Sequence, residues 1–196
     1  MDTYRTIKTP SEGTYSEKRS KFLAFAMPVR SVAEVKQIVA DYQKKYYDAR
    51  HVCYAYMLGA ERLEFRANDN GEPSGTAGKP ILGQINSNEL TDILIIVVRY
   101  FGGVKLGTSG LIVAYRQAAA EAIAAAEIIE KTVDEDVSFM FEYPFMNDVM
   151  RIVKEENPQI VSQGFEDDCS MTLRIRKDSM PRLKARLEKV STLRFE

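Results

Sequence analysis

Ile93-Leu94-Ile95-Ile96-Val97-Val98-Arg99-Tyr100-Phe101-Gly102-Gly103-Val104-Lys105-Leu106-Gly107-Thr108-Ser109-Gly110 reads as a buried strand, a glycine-rich turn and the opening of a helix. The aliphatic run from Ile93 to Val98 has no polar interruption, which is the pattern of a strand covered on both faces. The glycines that follow break it. From Thr108 to Ile129 alanine dominates, and Leu111, Ala114, Tyr115, Ala118, Ala122 and Ile123 fall on one helical face. Upstream, Phe22 to Val29 alternates as a strand behind the basic entry Lys18-Arg19-Ser20-Lys21. Ser31 stands as the cap of a helix carrying Val32, Val35, Ile38, Val39 and Tyr42, with Glu34 at the capping-box offset. His51 to Leu58 predicts a strand and Arg62 to Arg66 its hairpin partner. A short helix is expected over Thr76 to Ile85, with Pro80 in its first turn.

Beyond Lys131 the composition changes. The order becomes strand (Val137–Tyr143), helix (Phe145–Glu156), strand (Gln159–Phe165), strand (Ser170–Arg176), helix (Pro181–Val190) and short strand (Thr192–Phe195). That β-α-β-β-α-β series is the ferredoxin-like pattern. The chain therefore predicts an α+β fold in two domains, 1–131 and 132–196, the second ferredoxin-like. With 196 residues, 45% hydrophobic and 28% charged, it has the composition of an ordinary globular protein. The first residues lack the apolar core of a secretory signal, and Ile93–Val98 is far too short to span a bilayer. Cys53 and Cys169 have no metal-type spacing, so reduced thiols and a cytoplasmic setting are the expectation. A net charge of −1 argues against bulk electrostatic capture of nucleic acid and leaves room for a local basic face.

The second dense stretch is Asp69-Asn70-Gly71-Glu72-Pro73-Ser74-Gly75-Thr76-Ala77-Gly78-Lys79-Pro80-Ile81-Leu82-Gly83. A turn needs one or two such residues, and this segment holds far more. Two glycine-rich, lysine-bearing segments around one buried strand predict a binding groove. Lys79, Arg99 and Lys105 are expected to converge there, with Asp69 and Glu72 at its edge and Ser74 and Thr76 contributing hydroxyls. Gly107-Thr108-Ser109-Gly110 is a candidate anion-binding turn, through free N–H groups and the positive end of the helix dipole. It reads equally as a sharp turn with Thr108 as helix cap. Gly102 and Gly107 have the Walker spacing, but Thr108 stands where the phosphate-binding lysine belongs, so that reading fails.

Catalytic constellations are absent from this reading. His51 is the only histidine, Cys53 lies two residues on along the same strand face, and a buried structural role is favoured for both. Asp69 and Glu72 are expected to tie down their loop through backbone N–H groups or to pair with Arg99 or Lys79. No metal site and no cofactor are expected. In the second domain the charges segregate: ten acids and two bases precede Cys169, and eight bases and three acids follow. Arg174 and Arg176 on a strand, and Arg182 and Arg186 on a helix, form a candidate accessory RNA-facing surface, against which a solvated face is slightly favoured because no aromatic pair is interleaved with the bases.

The stretches Asn68–Pro80 and Arg99–Gly107, with His51-Val52-Cys53-Tyr54-Ala55-Tyr56 and Lys18-Arg19-Ser20-Lys21-Phe22, resemble the signatures of the YigZ/IMPACT family of uncharacterised and translation-linked proteins. One departure is visible: the family usually has two acids before Gly71-Glu72, and here the second is Asn70. The resemblance implies a first domain like the second domain of a small-subunit ribosomal protein and a second like the last domain of elongation factor G. It also implies a non-catalytic regulatory protein of translation, contacting RNA or a ribosome-associated protein, with no membrane partner. Eukaryotic members are linked to the amino-acid-starvation kinase pathway; their protein partner is absent from bacteria, and the two-domain form looks bacterial. The alternative is a small-molecule phosphate enzyme, because Leu106–Gly110 is locally similar to the phosphate loop of the GHMP kinases. The oligomeric state is not legible.

Overall fold

The computed structural model describes residues 2–196. The chain divides into two compact units, Tyr4–Lys131 and Thr132–Glu196, the latter joined by Asp2 and Thr3. In chain order the first carries β1 (Thr3–Ile7), β2 (Ser11–Glu17), β3 (Ser20–Pro28), α1 (Val32–Lys45), β4 (His51–Leu58), β5 (Glu64–Asn68), α2 (Gly78–Ser87), β6 (Ile93–Tyr100), α3 (Gly107–Ala124) and β7 (Ile128–Thr132).

Strand β6 is the centre of a five-stranded sheet ordered β2-β3-β6-β4-β5, every neighbouring pair antiparallel. Because side chains alternate along a strand, the aliphatic run divides evenly between the two faces. Ile93, Ile95 and Val97 join Ala24, Ala55, Ile81, Leu111 and Tyr115 under α2 and α3. Leu94, Ile96 and Val98 join Phe25, Val35, Val39 and Tyr56 under α1. Ser31 caps α1 as its spacing predicts, accepting the Glu34 N–H at 3.2 Å, while the Glu34 carboxylate accepts the N–H of Arg30 at 2.9 Å.

Two differences from the sequence reading have simple causes. The alanine helix ends at Ala124, and Ile128–Thr132 pairs with β1 as a two-stranded sheet. There the β-branched Ile128 and Ile129 suit a strand better than a helical turn. The edge strand β2 was missed because Ser11-Glu12-Gly13-Thr14 carries no apolar alternation; Tyr15 is its lone large apolar residue.

The second unit runs β8 (Asp134–Phe141), α4 (Met146–Glu156), β9 (Gln159–Phe165), β10 (Cys169–Arg176), α5 (Met180–Leu187) and β11 (Arg194–Phe195). Its antiparallel sheet has the order β11-β8-β10-β9, the ferredoxin-like arrangement. Phe139, Phe141, Leu173 and Leu183 are buried in its core, whereas Ser138, Thr172 and Arg174 alternate onto the other face. Among the described residues, no helix is long and apolar enough to cross a membrane.

Candidate functional site

At the ends of the two central strands, His51 on β4 is registered opposite Arg99 on β6. Both lie on the α2/α3 face, in step with Cys53 and Val97. The loop from Asp69 to Ala77 folds over them, and Asp69 organises it. One Asp69 oxygen accepts the Gly75 N–H at 2.9 Å; the other accepts the N–H groups of Ala77 (3.1 Å) and Gly78 (2.9 Å). This carboxylate thus serves the N-terminus of α2, whose cap residue Ala77 has no side-chain acceptor. A Cβ at Gly78 would overlap the backbone of Asn68, so only glycine lets the helix start this close to β5. Asn70 has φ 42°, a left-handed conformation that Asn tolerates, and its Oδ1 accepts the Val52 N–H at 2.9 Å. What the loop uses here is a side-chain acceptor, which an amide supplies without a second carboxylate.

Glu72 then reaches the floor. Its Oε1 accepts from Arg99 Nη1 at 2.5 Å and from the Tyr115 hydroxyl at 2.8 Å, with His51 Nε2 at 3.6 Å. The Glu72 and Arg99 side chains are 3% and 7% exposed. His51 Nδ1 lies 2.7 Å from the Asn70 carbonyl oxygen; a carbonyl only accepts, so Nδ1 carries the hydrogen. Cys53 Sγ is 3.0 Å from the Asp69 carbonyl oxygen and 3.4 Å from the Tyr115 hydroxyl. Burial pushes the Cys53 thiol up to about 12 and also raises Tyr115. A sealed, protonated thiol is no nucleophile at neutral pH. The network fixes the loop, α3 and the sheet to one another. Among the described residues, no group of three His, Cys, Asp or Glu side chains could hold a metal ion.

Above this floor lies a cleft of about 380 Å³ between Glu72-Pro73 and the segment Phe101–Thr108. Arg50 and Lys105 are exposed at its rim and have no carboxylate partner among the described residues. The Arg50 and Arg99 guanidinium carbons stand 5.7 and 5.6 Å from the Phe101 ring centroid, and Arg99 Nε is buried without a hydrogen-bond partner. Helix α3 opens into the same cleft at Gly107 and Thr108. Its cap residue is Leu106, which offers no side-chain acceptor, so Thr108 does not cap the helix and the first-turn N–H groups remain available.

Glu72, Arg99, Lys105, Gly107 and Thr108 are therefore brought together. Glu72 forms the floor, not the edge, because Arg99 and Tyr115 pull its carboxylate inward. Asp69 and Thr76 are spent within the loop, the Thr76 hydroxyl donating to the Pro73 carbonyl at 2.5 Å. Ser74 is exposed outside the cleft lining. Lys79 borders a different depression, with Gln84 and Arg116, since α2 carries it away from the strand end. Ser109 and Gly110 open onto a third, shared with Lys18. In the second unit each candidate arginine has an acidic partner: Arg174 with Asp136 (2.7 and 2.9 Å), Arg176 with Asp2 (2.6 and 2.8 Å), Arg182 with Glu156 (2.7 Å), and Arg186 with Glu155 and Glu156. The sequence alone singles out neither Arg50 nor Phe101 as a cleft residue. Only the cross-strand register, with the Arg50 N–H donating to the Arg99 carbonyl at 3.0 Å, places them beside the glycine turn.

A sheet with helices on both faces, a loop sealed over its strand ends and a ferredoxin-like companion unit define a two-unit α+β protein with a basic cleft in its first unit. Residues 18–123 match the Impact N-terminal domain. YvyE of Bacillus subtilis, an IMPACT family member, is 31% identical over 155 residues, 79% of this chain and 71% of that protein. YigZ of Escherichia coli, another, is 29% identical over 168 residues, 85% and 82% of the two chains. The crystal structure of a hypothetical protein superposes with a TM-score of 0.75 at 26% identity, over 100% of this chain and 97% of that one. The chain belongs to the IMPACT family.

Proposed function

We propose that the chain is a non-catalytic regulatory protein of translation that binds single-stranded RNA in the cleft between Glu72-Pro73 and Phe101–Thr108. The observation that carries this is a contrast in charge compensation. The six arginines of the second unit are paired with acids, whereas Arg50 and Lys105 line the cleft without a carboxylate partner among the described residues. Unpaired cations beside an open helix N-terminus suit phosphate, and Phe101, 43% exposed, supplies an aromatic surface of the kind bases stack upon. Family membership, with translation-linked members, supports the setting. The sealed Cys53 and the fully engaged Glu72 support a binding role over a chemical one.

The test is a salt titration of RNA affinity. Lys105→Ala should weaken binding and reduce the slope of log affinity against log salt by about 0.7, the value for one lost phosphate contact on a single strand. Equal affinity and equal slope for the two proteins would overturn the reading.

A further inference from the structure

Strands β2 and β3 are joined by a two-residue turn, Lys18-Arg19, with Glu17 registered opposite Ser20. Lys18 has φ 45° and Arg19 φ 68°, so both central residues are left-handed, the arrangement for which Asn-Gly is the favoured sequence. A lysine and an arginine hold these positions against their own backbone preference. Together with Lys21 they are exposed and without a carboxylate partner among the described residues.

The tip is fixed against the cleft. A Cβ at Gly102 would overlap the backbone of Arg19 and Ser20, and the Gly102 N–H donates to the Ser20 hydroxyl at 3.2 Å. The segment that walls the cleft thus rests directly on the hairpin turn. Lys18 borders a depression of about 260 Å³ with Ser109 and Gly110 of α3. Leu106, at the start of that helix, lines both this depression and the cleft, so one side chain separates the two.

The geometry points to the Lys18-Arg19 hairpin tip as a second phosphate-contact element, over which a single RNA strand leaving the cleft continues across the first turn of α3. This deepens the cleft reading and rests on it. A polyanion suits this surface because Arg50 and Lys105 line the cleft, Lys18 lines the depression that adjoins it at Leu106, and Arg19 is the exposed neighbour of Lys18 in the same turn. A strained turn makes sense where two bases must be presented from a rigid backbone with no loop entropy to lose on binding.

The double substitution Lys18→Asn with Arg19→Gly tests this, since it installs the preferred turn sequence while deleting both charges. The urea midpoint should rise, which separates the effect on binding from damage to the fold. Affinity for a labelled oligouridylate of about ten nucleotides should fall roughly 25-fold at 0.1 M salt, and the salt slope by about 1.4, as expected for two contacts at 0.7 each. Arg19→Lys should retain the affinity. A more stable double variant with unchanged affinity and slope would overturn the hairpin proposal while Lys105→Ala still reports on the cleft. If affinity for polyglutamate falls and affinity for oligouridylate does not, the tip serves an acidic protein and the RNA assignment is wrong. Absence of oligouridylate binding by the unmodified protein would overturn both readings.

Discussion

Replacing Glu72 by alanine removes the acceptor shared by Arg99 and Tyr115 and leaves a guanidinium whose side chain is only 7% exposed. Breaking a buried pair from one side costs about 3–5 kcal/mol, because the surviving charge has neither water nor partner. At roughly 2–4 °C per kcal/mol for a chain of this size, that loss lowers the thermal midpoint by about 6–20 °C. Glu72→Gln keeps the shape and an acceptor but gives up charge assistance, and should cost about 1–2 kcal/mol. Removing both partners in Glu72→Leu with Arg99→Met leaves no orphan charge and should recover most of the single-variant loss. Urea unfolding of the intact protein, Glu72→Leu, Arg99→Met and the double variant, followed by circular dichroism and by the tyrosine signal of this tryptophan-free chain, closes the cycle. Additive single-variant losses, or a Glu72→Ala cost below about 1 kcal/mol, would refute the network as the element that holds the loop to the sheet.

Cys53, whose thiol burial pushes up to about 12, should resist a disulfide reagent at pH 8 in the native protein and react fully in urea; rapid native labelling of Cys53, read by peptide mapping, would contradict the packing. The hydrogen bond from Arg186 holds the Glu156 carboxyl below its ordinary value of 4.5, so the pair's contribution to stability is fully present above that pH and is lost as pH falls through the depressed value. Urea midpoints of the intact protein and Arg186→Ala should therefore differ at pH 7 and converge on acidification; a constant gap would show that the pair is not the cause.

The layered α+β fold was legible because its central strand is so apolar: Ile93–Val98 announces burial on both faces, and Ser31 with Glu34 marks the start of α1. The βαββαβ order of the second unit was equally readable from its turns. The anchoring roles of Asp69 and Glu72 were also legible, since acids among crowded glycines have backbone N–H groups and a nearby arginine to satisfy. Register was not. Nothing local says that His51 faces Arg99, that Arg50 stands beside Phe101, or that α2 turns Lys79 away from the strand end. The compensation of Arg174 by Asp136 and of Arg176 by Asp2 joins residues far apart in the chain, and a one-dimensional count of bases overstates the free charge there.

The position of β6 also dictates when the first unit can form. Its two neighbours are translated well before it: β3 places Phe25 opposite Ile96, and β4 places Tyr54 opposite the same residue. Until β6 leaves the ribosome, β3 and β4 lack the strand that joins them, and their apolar faces have no shared layer. At about 5–20 residues per second that interval lasts several seconds. Closing so distant a pairing is slow in itself. A nascent chain that ends at Thr91 therefore contains β3 and β4 but not the strand that joins them, and their apolar faces stay without a shared layer until the aliphatic run beginning at Ile93 emerges.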